Sequence, residues 1–126
     1  MKKFIIAGAI HGFLAVALGA FGAHALKEIV DDYGLDIWDT AVQYQMFHCT
    51  VILVLGLLMS PKLIGEVKPL KWAGILFNLG IVFFSGSLYV LALTSIGPLG
   101  AMTPIGGVLF LSGWVLVIVT SLKYIK

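Results

Sequence analysis

Residues 72–122 read WAGILFNLGIVFFSGSLYVLALTSIGPLGAMTPIGGVLFLSGWVLVIVTSL, and these 51 consecutive residues contain no Asp, Glu, Lys or Arg. A helix that crosses the hydrocarbon core of a bilayer needs about 20 apolar residues, so the stretch is long enough for two crossings. Gly97 and Pro98 in its middle disfavour helix. Thr103 followed by Pro104 is typical of a helix N-terminus. The stretch therefore predicts two membrane helices joined by a short turn.

Two further uncharged segments, Phe4–Leu26 and Thr40–Pro61, precede this stretch. Hydrophobic residues make up 60% of the chain and charged residues 11%, and the mean hydropathy is +1.08, which is unlike a soluble domain. We expect an all-α fold, an integral membrane four-helix up-and-down bundle, in a single domain. The predicted helices, with Asp36 as the cap of the second and Asp39 in its first turn, span about 4–26, 37–60, 70–94 and 103–122.

The lysines predict how the bundle is oriented, because cytoplasmic loops retain an excess of positive charge. Lys27 is the only lysine expected on the side that carries most of the acidic residues. The other seven are all predicted on the opposite side: Lys2, Lys3, Lys62, Lys68, Lys71, Lys123 and Lys126. We therefore expect a multi-pass protein of the plasma membrane with both termini in the cytoplasm. A net charge of +2 without a basic patch excludes nucleic acid as an expected partner.

The first predicted helix has two interpretations. MKK, an apolar run and AHA at residues 23–25 are typical of a cleaved signal peptide, but the run is longer than the usual core of about 7 to 15 residues. Glycines also recur along one face of this helix, and a second row of glycines follows one face of the fourth helix. Both faces are expected to allow close helix packing, for example in a homo-oligomer. The glycines of these two faces are Gly8, Gly12, Gly19, Gly22, Gly106 and Gly113. We expect the first helix to be retained.

Polar side chains within the predicted spans are the candidate functional residues. At 100° per residue, Tyr44, Gln45 and His48 share one face of the second helix. Asn78, Ser85 and Tyr89 share one face of the third. Estimated depths predict two layers, an outer one of Tyr44, Gln45, His48, Ser85 and Tyr89 and an inner one of His11 and Asn78. His24 is expected to reach water at the outer interface.

Catalytic chemistry has little support. Ser85 and His48 have no acidic third residue in the membrane, so the chain is not expected to be an enzyme. Cys49 has no partner for a disulfide. Haem, metal and other cofactors are not expected, because His11 and His48 start on different levels and the acids of residues 27–39 already serve topology and capping. The polar layers either join helices by hydrogen bonds or mark a binding site or proton path.

Four segments of the chain resemble those of the small bacterial membrane protein family catalogued as domain of unknown function 423, whose animal relatives are called transmembrane protein 256-like. They are GAFGAHALK (19–27), WDTAVQYQMFH (38–48), FFSGSLYVLALT (83–94) and TPIGG (103–107). The resemblance implies a four-helix plasma-membrane protein with an uncleaved first helix, and Cys49 stands where a small residue is usual. The sequence favours a structural, interaction or assembly component of the lipid bilayer, either a homo-oligomer or bound to another membrane protein. The alternative is a carrier or sensor of a small solute or proton around His48.

Overall fold

Four long helices form the computed structural model, which describes all 126 residues. Helix α1 spans Lys2–His24, α2 spans Asp32–Leu58, α3 spans Lys68–Thr94 and α4 spans Met102–Tyr124. Each lies in a helical segment long and apolar enough to cross a membrane. Single 3₁₀ turns at Leu26–Glu28 and Gly97–Ala101 precede α2 and α4. The predicted all-α, four-helix membrane fold is thus confirmed.

The predicted start of α2 was wrong. The helix begins at Asp32, and its N-cap is Asp31, whose Oδ1 accepts a hydrogen bond from the Gly34 N–H at 2.8 Å. Asp36 and Asp39 therefore lie inside the helix. The prediction located only the charge-free part of α2, whereas a capping carboxylate allows the helix to begin further out in the polar loop.

Helix α3 contains one π-helical turn, Val82–Gly86, which the sequence analysis missed. A π turn inserts one extra residue into a helix, and such turns are frequent at functional sites. Here Ser85 lies in the turn and its hydroxyl donates to the Ala41 carbonyl of α2 at 2.8 Å. The Phe84 backbone lies directly against Gly106 of α4. The π turn is therefore one place where α3 contacts both α2 and α4.

The helices are buried to different extents. In the most apolar part of each span, 44% of the residues of α2 and of α3 are buried, against 11% for α1 and 22% for the α4 segment. Helices α2 and α3 therefore form the centre of the bundle, while α1 packs mainly on α2 and α4 mainly on α3. The largest core cluster joins α2, α3 and α4 and consists of Ile52, Leu55, Met59, Leu70, Ala73, Phe77, Ile81 and Phe110.

Both predicted glycine faces are used inside the chain. A Cβ atom on Gly8 would lie 2.8 Å from Leu53, and one on Gly22 would lie 2.7 Å from Trp38, so the glycine face of α1 is pressed against α2. Gly12 and Gly19 lie on the same interface, facing Cys49 and Val42. On α4, Gly106 and Gly113 face Phe84 and Phe77 of α3. These glycine faces are therefore not available to a second copy of the chain.

Candidate functional site

Four polar side chains form a continuous hydrogen-bonded chain between three helices. The Tyr89 hydroxyl of α3 donates to Gln45 Oε1 of α2 at 2.7 Å. Gln45 Nε2 lies 3.3 Å from His11 Nδ1 of α1, and His11 Nε2 lies 3.2 Å from Asn78 Oδ1. Asn78 Nδ2 then donates to the Gly74 carbonyl at 2.8 Å. We call Tyr89, Gln45, His11 and Asn78 the polar chain.

The partners in the polar chain determine which nitrogen of His11 carries the proton. Asn78 Oδ1 can only accept, so His11 Nε2 must donate to it, and His11 Nδ1 is then free to accept from the Gln45 amide. All four bonds run in one direction and end at a backbone carbonyl. None of the four side chains lines the groove described below or three other surface cavities. Each polar side-chain atom of the polar chain thus has a hydrogen-bond partner within the protein.

The predicted division into two polar layers was wrong, because the bond between His11 and Gln45 joins the two. The cause is the position of the helix ends: α1 begins at Lys2 and α2 ends at Leu58, each two residues before the predicted boundary. At about 1.5 Å per residue, these shifts bring His11 about 6 Å closer in depth to the α2 residues. Ser85 stays outside the polar chain and bonds to a backbone carbonyl of α2 instead.

His48 has a different environment from the polar chain. Its Nδ1 lies 2.8 Å from the Tyr44 carbonyl, which can only accept, so Nδ1 carries the proton and Nε2 carries a lone pair. The side chain is 4% exposed, and Nε2 is the one buried side-chain nitrogen or oxygen without a hydrogen-bond partner. Buried polar atoms are almost always hydrogen-bonded, so this acceptor calls for an explanation.

Aromatic rings surround His48. The Phe110 ring of α4 is stacked on the imidazole with ring centroids 3.8 Å apart and planes 9° apart, and Tyr44 lies nearly parallel to the imidazole at 6.0 Å. Phe47 meets the imidazole edge-on at 5.3 Å, and Phe77 lies 5.6 Å away. Trp114 completes the set at 6.1 Å. The neighbours of His48 therefore supply ring surface, and none of them donates a hydrogen bond to Nε2.

His48 also lines a groove of about 860 Å³ between α2 and α4. The groove opens on the membrane-facing surface, where Phe47, Val108 and Leu111 are each more than half exposed. None of its lining residues is charged, and the residues are Gln43, Tyr44, Phe47, His48, Phe84, Pro104, Gly107, Val108, Phe110, Leu111 and Trp114. We call this cavity the α2–α4 groove. It is a mostly apolar, aromatic-walled site with one buried acceptor.

The predicted site residues thus divide into groups. The polar chain contains four of them, and Tyr44 and His48 line the α2–α4 groove. His24 is exposed at the end of α1 and takes part in neither. The sequence analysis missed the groove wall on α4, because it considered only polar residues. The available signal was the spacing of Gly107, Phe110 and Trp114, which places two rings beside a residue without a side chain on one helix face.

The fold and these intramembrane features define a small multi-pass membrane protein. The family model described as "Protein of unknown function (DUF423)" matches residues 18–107. The chain is 50% identical to a UPF0382 membrane protein of Staphylococcus epidermidis, over 98% of both chains. It is 49% identical to the UPF0382 membrane protein YwdK of Bacillus subtilis, over 99% of this chain and 100% of that protein. The chain therefore belongs to the DUF423 family. No solved structure matches it.

Proposed function

We propose that the protein is a non-enzymatic binding and assembly component of the plasma membrane, and that the α2–α4 groove receives another membrane component. The observation that carries this proposal is His48, which is buried in the wall of a ligand-sized groove with Nε2 unpartnered. Ligand sites are typically mostly apolar cavities of about 300 to 1,000 Å³ with a few placed polar groups. The α2–α4 groove matches that description.

A carrier or sensor working through the polar chain has less support. A proton path needs polar groups or water that continue towards both sides of the membrane. The polar chain instead ends on the Gly74 backbone carbonyl, and its side chains line none of the four cavities considered above. Bonding between α1, α2 and α3 is the role that fits it, as is common for polar side chains between membrane helices.

A hydrolytic role also has less support than binding. Nucleophilic catalysis by a serine requires a base within hydrogen-bond reach of its hydroxyl. The Ser85 hydroxyl donates to the Ala41 carbonyl, and the protonated Nδ1 of His48 donates to the Tyr44 carbonyl. The two side chains are thus each bonded to backbone, which supports the non-enzymatic proposal.

The proposed orientation, with both termini cytoplasmic, is supported by contacts at one end of the bundle. The Met1 amino group lies 2.6 Å from Glu66 Oε1 in the α2–α3 loop, and it lowers the pKa of that carboxyl by hydrogen bonding and charge. Lys68 of α3 and Lys123 of α4 line one cavity. The lysine-rich segments therefore meet at a single end, which the positive-inside rule assigns to the cytoplasm.

Cysteine labelling in intact cells tests this orientation. In a Cys49→Ala background, Asp32→Cys should react with a membrane-impermeant maleimide, because residue 32 is exposed at the start of α2. Lys62→Cys, also exposed but in the α2–α3 loop, should react only after the cells are opened. The reverse pattern would show that the orientation is wrong.

Native mass spectrometry of protein released from membranes tests the groove. Gly107 lines the groove and has open space at its Cβ position, so Gly107→Leu should fill the groove without a clash. Gly86→Leu is the matched control, because Gly86 also has open space but does not line the groove. Wild type and control should carry a bound molecule, or a second copy, that Gly107→Leu loses. Identical masses and oligomeric states for all three proteins would contradict the proposed function.

A further inference from the structure

Three features of the α2–α4 groove define the chemistry of its occupant: aromatic walls, no charged lining residue and one buried acceptor without a partner, His48 Nε2. We propose that the groove binds a neutral amphiphile with a phenolic ring, as in a phenol or hydroquinone head on an apolar tail, whose hydroxyl donates to His48 Nε2. This inference rests on the proposed function, since it names the class of membrane component that the groove receives.

The protonation of His48 requires that the ligand be the donor. Because Nδ1 holds the proton for the Tyr44 carbonyl, Nε2 can only accept in the neutral imidazole. A hydrocarbon chain in the groove would leave this buried acceptor unpaired, which is costly in an apolar medium. An anionic head group would find no charged partner among the lining residues. A neutral group with an O–H fits all of these conditions.

The surroundings of His48 favour a ring as the carrier of that hydroxyl. Aromatic rings associate in offset-stacked or edge-on arrangements with centroids about 4.5 to 7 Å apart. Tyr44, Phe84 and Trp114 all line the groove and offer such surfaces. Val108 lies on the open side of the groove and is 61% exposed, which leaves a way for an apolar tail into the surrounding lipid.

Phe47 is the side chain that yields when the ring enters. His48 Nε2 is buried, so a neighbouring ring must move for a donor to reach it. Phe110 is 4% exposed and stacked on the imidazole, whereas Phe47 is 59% exposed and touches the imidazole edge-on. Because Phe47 is already more than half exposed, its rotation towards lipid removes fewer packing contacts than movement of the buried Phe110 would. The ligand ring then takes the place beside the imidazole that Phe47 leaves.

A matched pair of probes tests the proposed donor. The probes are 4-nonylphenol and its methyl ether, 4-nonylanisole. Only the phenol has an O–H group that can donate a hydrogen bond. Protein labelled with 5-fluorotryptophan is placed in phosphatidylcholine nanodiscs, and binding is followed by ¹⁹F NMR. The Trp114 resonance reports on the groove, while Trp38 and Trp72, which line other cavities, report on non-specific partition.

Wild type should bind the phenol about tenfold more tightly than the ether, which corresponds to about 1.4 kcal/mol. His48→Phe keeps a ring but removes the acceptor, so it should bind both probes with the affinity of the ether. Unchanged Trp38 and Trp72 signals establish that this variant is folded. Equal binding of both probes to wild type, a preference that survives in His48→Phe, or equal shifts at all three tryptophans would each overturn the inference.

Failure of the donor hypothesis differs from failure of the proposed function. If wild type binds both probes equally and Gly107→Leu abolishes both, the groove is a binding site but His48 does not select a phenol. If neither probe shifts Trp114 and the native masses of wild type and Gly107→Leu agree, the inference and the proposed function are both wrong.

Discussion

Gln45 and His48 lie about one turn apart on α2 and are both buried, yet only Gln45 has a hydrogen-bond partner at each of its polar side-chain atoms. The difference comes from the neighbouring helices. Helices α1 and α3 bring His11 and Tyr89 to the Gln45 amide, whereas α4 brings the ring of Phe110 to His48. On the Gln45 side of α2, the polar side-chain atoms therefore find their partners within the chain. The other side has an acceptor for which the chain provides no donor.

The largest expected effect on stability is at Gly106 of α4, which packs against α3, whereas the next residue, Gly107, faces open space. Gly106→Ala would place a methyl group against the Phe84 backbone, so α3 and α4 must move apart at the π turn. We expect a loss of about 3 kcal/mol in the free energy of unfolding, at the upper end of the usual range for overpacking. Reversible unfolding in mixed detergent micelles measures this change.

Gly107→Ala is the control for that variant, since it makes the same change one residue further along the same helix. Apart from the neighbouring backbone of its own helix, no atom lies within 4 Å of its added methyl group. The stability should be equal to that of wild type or slightly greater, because alanine favours helix over glycine. Similar losses for the two variants would mean that α4 does not pack on α3 as described.

A smaller effect is expected in the polar chain. Gln45→Leu leaves the Tyr89 hydroxyl and His11 Nδ1 without their partner. We expect a loss of about 1 to 1.5 kcal/mol, since hydrogen bonds between membrane helices average about 0.6 kcal/mol each. A variant as stable as wild type would show that the polar chain does not hold α1, α2 and α3 together.

The smallest effect is expected at His48 itself. His48→Phe removes a bond to the Tyr44 carbonyl but also removes the unpartnered Nε2 atom, and the new ring remains among aromatic neighbours. The change in the free energy of unfolding should be below about 0.5 kcal/mol, because replacing an unsatisfied polar group by an apolar one is nearly neutral. A loss as large as that of Gln45→Leu would mean that Nε2 has a partner within the protein.

Much of the fold could be predicted from the sequence, because charge-free length alone marks a membrane helix. The start of α2 and the π turn in α3 could not. The sequence analysis took Asp36 as the cap, but Asp31 carries the same carboxylate five residues earlier, and it is Asp31 that caps the helix. The π turn depends on the Ser85 bond to α2 and on the approach of Gly106 to Phe84, neither of which leaves a periodic pattern in the sequence.

The candidate site was only partly predictable for a related reason. Helical geometry correctly indicates which polar residues share a face of one helix, but depth depends on where each helix ends. Errors of two residues at the ends of α1 and α2 were enough to divide the polar chain into two layers. The α2–α4 groove is formed by Gly107, Phe110 and Trp114 together with α2, and a space between helices appears only once they are packed.

The difference between the two sides of α2 can be measured most directly in the histidine rings. In delipidated protein reconstituted in phosphatidylcholine without added phenol, ¹⁵N solid-state NMR should show opposite tautomers. His11 should carry its proton on Nε2 and accept at Nδ1, while His48 should carry its proton on Nδ1 and show a free Nε2 lone pair. The ¹⁵N signals of the exposed His24 are identified because they are missing from the spectrum of His24→Gln. A proton on His48 Nε2, or coupling of that atom to a donor in the protein, would contradict the description of Nε2 as an acceptor without a partner in the chain.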